Sequence, residues 1–591
     1  MKYIRDHHWP GLLLIAYALV AVSGLGQWLL VEGGTAYQGA GLDMVGYFRN
    51  LQDQTYLAQD FLVQSYRELS PRHLFSAVVI TTGKLLGGDW YAGFYFWKVL
   101  FVVALPLAWA RLLVTSVSLA TSSRSRIHPG VELLVILLVL FVIWDHIPLR
   151  WLDQFSVRGY FSVAWWPPSN NYSHPQTFAL LAGIWAAIVS AQRRVRWHLN
   201  PYLLIATLLH PAVALTGYLL TAVAEFSSKS HDKAKRAKAL AAELAIGYLL
   251  PALAVALYFR PVSALDGDLF RYIYIFQAHP SHYLPAEYGS MGGRGSKFAF
   301  VLVCLLLGMF ALLGYRAKMS SLVRAALLFL GLYISFAVSQ YVAAYLVSFK
   351  PLVQFGPIRL SMLGYWFVAC AAALYLNERL WTQSGYQGIG PRNDSRLARY
   401  AVPILVLILA TGLTQFRDRE PYAKTPVEAA GVVAWAVTNT SPDSTFAVPF
   451  GALTSVLPFN AGRAVYGGTG FPFVESRMVE YCLRDQLLYG TPAERKLQTG
   501  GWIGEKMARV YRGRTPGQFA AMTRLGALDY VVLERGKVGE QWEGLTPVYQ
   551  DDAWLVFDVG QIRRRFTEDM PSAVSESPCT AQFFRESDRR K

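Results

Sequence analysis

Apolar residues in this chain gather in long unbroken runs, not in the short alternations of a soluble fold. The runs at 11–31, 90–115, 131–148, 176–192, 239–259, 297–314, 322–347, 358–376 and 400–415 read as helices that cross hydrocarbon. A crossing takes roughly 20 helical residues. The stretch 199–226 is also apolar, but "LLHPAVAL" lies within it and Pro211 cannot donate to a helical hydrogen bond. Basic clusters flank it on both sides. With both clusters in the cytoplasm, the chain enters the membrane and returns as two short helices broken near His210 and Pro211. Such broken helices face a cavity or protein, because free backbone groups are costly in lipid. The shorter run 74–88, closed by Gly87, Gly88 and Asp89, is read as lying at the interface.

The polar segments set the orientation. "SRSRIH" (123–128), "QRRVRWH" (192–198), "SKSHDKAKRAK" (228–238) and "PRNDSRLARY" (391–400) are short basic loops. The positive-inside bias puts them in the cytoplasm and gives roughly eleven crossings. The N-terminus is then cytoplasmic, and the loops 32–89, 149–175, 260–296 and 348–358 lie outside. Run 11–31 is too long for a signal-peptide core and is read as a retained span.

From about residue 420 the pattern changes. "PVEAAGVVAWAVTNT" predicts an amphipathic helix, "STFAVPF" a strand, "RTPGQFAAMTRLGA" a helix, "LDYVVLER" a buried strand and "TPVYQDDAWLVFDV" a strand–turn–strand. Helices alternating with short β-rich runs indicate a small α/β domain. The expected fold class is an α-helical polytopic membrane domain (1–419) followed by a small extracytoplasmic α/β domain (420–561). The charged tail 562–591 is expected to be disordered.

Composition agrees. Of 591 residues, 53% are hydrophobic and 16% charged. The net charge of +16 resides largely in the cytoplasmic loops, which argues against a nucleic-acid partner and for membrane lipids. Cys304 and Cys370 lie in apolar spans, Cys482 and Cys579 in the polar part. Their spacing gives neither a zinc motif nor a disulfide framework.

No phosphate-binding Gly loop, HExxH or GxSxG motif is present, so candidate chemistry rests on polar residues at the outer face. Asp43 in "GLDMVGYFRN" and Asp60 in "YLAQDFLV" are acids in the first outer loop, followed by Arg72 and His73 in "SPRH". A carboxylate there can deprotonate a hydroxyl, hold a metal, or simply cap an interfacial helix. His174 in "NNYSHPQTF" sits where an outer loop enters a span, a position that also suits a helix start with Ser173 as N-cap. His210 is an ionisable group in an apolar stretch. Arg359 in "FGPIRLSML" begins a span from outside, where it can grip a phosphate bidentately or anchor at the headgroups. Loop 260–296 carries Arg260, Arg271, His279, His282, Glu287 and Arg294, with a Gly-rich tip "YGSMGGRGS".

The order of these parts resembles the GT-C class of membrane glycosyltransferases: one span, a long acidic outer loop, many spans with broken helices, then an outer α/β domain. "LGALDYVVLER…LTPVYQDDAWLVFDV" and "VVAWAVTNTSPDSTFAVP" are similar to the soluble domains of that class. "YLAQDF", "SPRHLF", "LLHP" and "YGGTGFPF" resemble an uncharacterised bacterial family of the same architecture. The resemblance implies a polyprenyl-phosphate-linked sugar as donor and an extracytoplasmic glycan, lipid or protein as acceptor. It assigns the essential first-loop acid to Asp60, with Asp43 second. Donor and acceptor contacts fall to Arg72, His73, His174, His210 and Arg359. The acidic pair usual just after the first span is absent, and dependence on a divalent metal stays open. The alternatives are a polysaccharide polymerase or ligase, or a non-catalytic membrane scaffold of a glycan-assembly system.

Overall fold

The computed structural model describes residues 9–30, 42–67, 72–121, 127–143, 175–192, 199–228, 233–258, 265–284, 294–357, 360, 363–384, 425–467, 470–472, 474–499 and 503–590. Among these the chain is mostly helical, with one small sheet near the C-terminus. His174, Arg359, the Gly-rich tip at 285–293 and the expected span at 400–415 lie outside the described residues.

Three helices are long and apolar enough to cross a membrane: Trp90–Ala120, Ala234–Ala254 and Ser320–Leu346. Shorter apolar helices at Gly11–Gly26, Pro129–Val139, Pro175–Ala191, Pro211–Ser227 and Phe300–Arg316 accompany them. By length and composition this is a membrane protein.

The first helix, α1 (Trp9–Leu30), leads into α2 (Leu42–Gln52), α3 (Phe61–Arg67) and α4 (Arg72–Leu85) before the long α5 (Trp90–Ala120). Asp89 caps α5 by accepting from the Tyr91 N–H at 2.9 Å. The α4–α5 hairpin closes backbone to backbone. A Cβ on Gly93 would collide with the Val79 carbonyl, and one on Gly83 with that of Asp89. Small residues at such crossings replace the hydrophobic drive that lipid does not supply.

Helix α6 (Pro129–Ile143) and α7 (Pro175–Ala191) follow. The stretch with Pro211 is broken as its sequence predicts, into α8 (Pro201–Leu209), α9 (Pro211–Ala214) and α10 (Thr216–Ser227). His210 sits at the break in extended conformation (φ −162°, ψ 95°). Asn200, the cap of α8, donates to the Tyr218 hydroxyl at 2.9 Å and to the Ala186 carbonyl at 3.0 Å. The chain has therefore returned to its starting level by Tyr218. Glu243 seals this base, accepting from Asn200 (2.7 Å), Tyr218 (2.9 Å) and Ser190 (2.5 Å).

The terminal domain carries a five-stranded sheet in the order β2-β1-β3-β5-β4. Its strands are β1 (Thr445–Ala447), β2 (Ala464–Val465), β3 (Tyr530–Glu534), β4 (Tyr549–Gln550) and β5 (Trp554–Asp558). Strands β2, β1 and β3 are parallel; β5 and β4 add antiparallel. Alternation along β3 divides the core. Val532 faces the helix Val427–Asn439, packing with Val432 and Ala436, whereas Val531 and Leu533 face the helix Glu475–Tyr489.

Two expectations are corrected here. The tail beyond 562 is ordered: Val559–Arg565, Ser572–Ser575 and Pro578–Arg590 are helical. It buries Ile562, Val574 and Cys579 in the domain core, which its charged composition concealed. The polar-domain cysteines do form a disulfide, Cys482–Cys579, across a sequence separation of 97. Both lie on helices that pack together, a proximity that spacing cannot reveal. Cross-linking a loop of that length contributes about 4–5 kcal/mol in the chain-entropy account.

The segment 265–284 is no passive connector. Its helical pieces, Gly267–Arg271, Tyr272–Ala278 and Pro280–Tyr283, share a core with the terminal domain through Phe270, Ile273 and Tyr283. Replacing both Cys482 and Cys579 by Ser is expected to cost the domain about 2–5 kcal/mol. Limited proteolysis should then cut within 566–590 before it cuts the sheet, and equal protection of that tail in wild type and variant would contradict this packing.

Candidate functional site

Asp60 lies where the first outer segment meets the terminal domain. It is 4% exposed. Its Oδ1 accepts from the Leu62 and Val63 N–H groups at 3.0 Å each, which makes it the N-cap of α3. Its Oδ2 accepts from the Val465 N–H at 3.3 Å, on the outer edge of the sheet. One carboxylate thus ties a helix start to a strand some 405 positions away in sequence. Burial pushes its pKa above the ordinary 3.8, against the opposing pull of the three N–H groups and of Arg484.

The turn before it is held by the same domain. The Tyr56 hydroxyl donates to the Pro458 carbonyl at 2.6 Å, and Arg49 donates to the Phe459 carbonyl at 3.3 Å. The Arg49 guanidinium also covers the Tyr56 ring at 4.1 Å. Leu57 takes a left-handed conformation (φ 53°) with its side chain buried. A non-glycine residue there is strained by about 1–2 kcal/mol, and persists because both flanks are fixed. Arg484 stacks over Phe61 and Tyr466, at 5.0 and 4.7 Å, and donates to the Tyr466 carbonyl.

The other sequence-derived candidates divide. His73 joins the same unit: its Nε2 lies 2.8 Å from the Tyr66 carbonyl, and its ring stacks on Tyr47, which meets Tyr66 edge-on. Asp43 and Arg72 are placed by backbone alone, at the starts of α2 and α4. His210 is brought instead to the apex of the broken helices. Of the 260–296 candidates, Arg271 pairs with Asp268 at 3.0 Å, and His279 Nδ1 lies 3.0 Å from the Tyr274 carbonyl. Among the described residues no three His, Cys, Asp or Glu side chains come together as metal ligands.

Sequence reasoning passed over Lys98. It is 1% exposed, within the span Trp90–Ala120. Its neighbours Trp97 and Phe101 both pack on Phe178, at centroid distances of 4.5 Å. Beside Phe178, the first turn of α7 buries Gln176 and Thr177. Lys98 is eight residues from the outer end of α5, roughly 12 Å along the helix axis. The signal was available: a cation in a long apolar run marks a functional position by its cost.

No protein-family model matches the chain, and no curated protein matches it.

Asp60→Ala removes a cap and leaves the Val465 N–H without its acceptor. The expected loss is about 2–3 kcal/mol, read as a lower unfolding midpoint in detergent. Asp60→Asn keeps the Oδ1 acceptor but turns an NH2 toward Val465. Because the folded-state pKa is raised, the contribution of protonated Asp60 is full below pH 3.8 and is lost as the pH rises through the folded value. The Asn variant should lack this slope, and parallel pH profiles for the two proteins would refute the assignment.

Proposed function

We propose that this protein is a glycosyltransferase of the bacterial inner membrane that moves a sugar from a polyprenyl-phosphate-linked donor to an extracytoplasmic glycan, lipid or protein. The observation that carries this reading is the fusion of the first outer segment with the terminal domain through Asp60, in a segment that leads into a span burying Lys98. Such a reaction needs one wall for a sugar acceptor and, at headgroup depth, a cation for the departing lipid phosphate. The disulfide supports an outer location for the terminal domain, since oxidising compartments keep such bonds. A roughly eleven-span topology with a cytoplasmic N-terminus fits the basic loops.

The roles are redistributed. Both Asp60 oxygens are engaged by backbone donors, so Asp60 acts as a positioning residue that sets the first segment against the sheet. That leaves Asp43 as the acid that accepts the proton of the attacking hydroxyl. The hydroxyl oxygen bonds to the anomeric carbon as the lipid phosphate leaves with the electron pair of the broken bond. Lys98 and Arg359 supply positive charge to that phosphate, and His73, Arg72, His174 and His210 contribute contacts to donor or acceptor. A non-catalytic scaffold is the second reading, favoured by the fully satisfied Asp60.

Membranes carrying the full chain should transfer label from a panel of polyprenyl-phosphate hexoses and pentoses to endogenous acceptor. Asp43→Asn is expected to lower turnover at least ~10²-fold with little change in stability. Lys98→Ala should raise the apparent KM for donor more than it lowers kcat. Unchanged transfer in Asp43→Asn would remove the first-segment acid from the mechanism. Absence of any transfer across the panel would favour the scaffold. A reporter fused near residue 425 that reads as cytoplasmic would overturn the orientation.

A further inference from the structure

A cleft of about 490 Å³ opens between the outer segment 266–276 and the C-terminal helix Pro578–Arg590. Asp266, Asp268, Arg271, Tyr272 and Phe276 line one wall, and Arg585 stands on the other. The volume lies within the ~300–1,000 Å³ of small-molecule sites. Two carboxylates face two guanidinium groups, so the lining charges cancel. Arg271 and Asp268 are already paired at 3.0 Å, which orients both while leaving further donor and acceptor positions on each. Tyr272 and Phe276 add half-buried ring surface. Hydrogen-bond acceptors, donors and aromatic faces around one charge-neutral cavity match a ligand with many hydroxyls and an apolar ring face.

Both walls are fixed by a single helix. Gln486, on Glu475–Tyr489, donates to the Tyr272 hydroxyl at 3.0 Å, and Cys482 on the same helix is bonded to Cys579 of the terminal helix. Arg484, which packs over Phe61 beside Asp60, is two residues from Gln486 and so points to the opposite side of that helix. The cleft is therefore separate from the Asp60 junction.

We propose that this cleft binds neutral sugar units of a glycan, and that the Cys482–Cys579 bond holds it in its binding shape. The inference takes from the proposed function only the class of ligand. It is tested by saturation-transfer NMR on the detergent-solubilised full chain with four neutral trisaccharides (maltotriose, cellotriose, mannotriose and chitotriose) and with trigalacturonate. At least one neutral probe should bind, at least ~10-fold more tightly than trigalacturonate. Phe276→Ala with Arg585→Ala should weaken it by a further ~10-fold, as should reduction of the disulfide. Arg477→Ala, on the same helix but away from the cleft, controls for folding and should leave binding unchanged. Binding of none of the neutral probes, preference for the acidic one, or affinity unaffected by the double substitution would each overturn the proposal. Binding is read without turnover, so an inactive transferase leaves a positive result standing, and a negative result leaves the transferase reading standing.

Discussion

Arg495 is 1% exposed, and its burial is what fastens the outer segment 265–284 to the terminal domain. Its guanidinium pairs with Asp485 and donates to the carbonyls of Tyr489 at 3.0 Å and Gln277 at 2.9 Å. Gln277 closes the circuit by donating to Asp485 at 2.5 Å. Burying two charges costs several kcal/mol each, which their attraction offsets only when the remaining donors and acceptors are satisfied. Here they are satisfied by both partners of the joint. The network therefore forms only when the outer segment and the terminal domain are docked in this register. Lys350 and Glu475, paired at 2.9 Å, reinforce the same joint, with Glu475 also accepting from the Leu265 N–H.

Asp60 performs the equivalent service for the first outer segment. Two independent polar locks thus join segments that lie far apart in sequence to one α/β domain, and apolar packing of Phe270, Tyr274 and Met478 fills the space around them. The cleft walled by Tyr272 and Arg585 and the junction at Asp60 lie on different sides of the Glu475–Tyr489 helix because of this double attachment. The membrane portion is assembled differently. Its helices approach through glycines and meet where polar groups such as Glu243 and Asn200 complete each other's hydrogen bonds.

Much of the local structure was legible. The break at His210 followed from Pro211, and the helix–strand order of the terminal domain followed from periodicity in "VEAAGVVAWAVTN" and "YVVLE". The first-segment acid was recognisable as either a base or a cap. Its immediate geometry is that of a cap, which the following "FLVQSYR" helix requires. The tail misled because its charges are placed on one helix face while Val574 and Cys579 are buried. Lys98 was passed over because attention to loops left a cation inside a span unweighed.

What the sequence determined by itself is the existence of the membrane helices, the broken pair and the α/β domain, because each depends on interactions within a few residues. Only the tertiary structure decided which segments meet. The short strand β2, the pairing of Cys482 with Cys579 and the grip of Asp60 on Val465 all join positions that no local pattern relates. Such contacts arise from three-dimensional packing and from the need to satisfy buried polar groups. Neither leaves a period or a spacing along the chain.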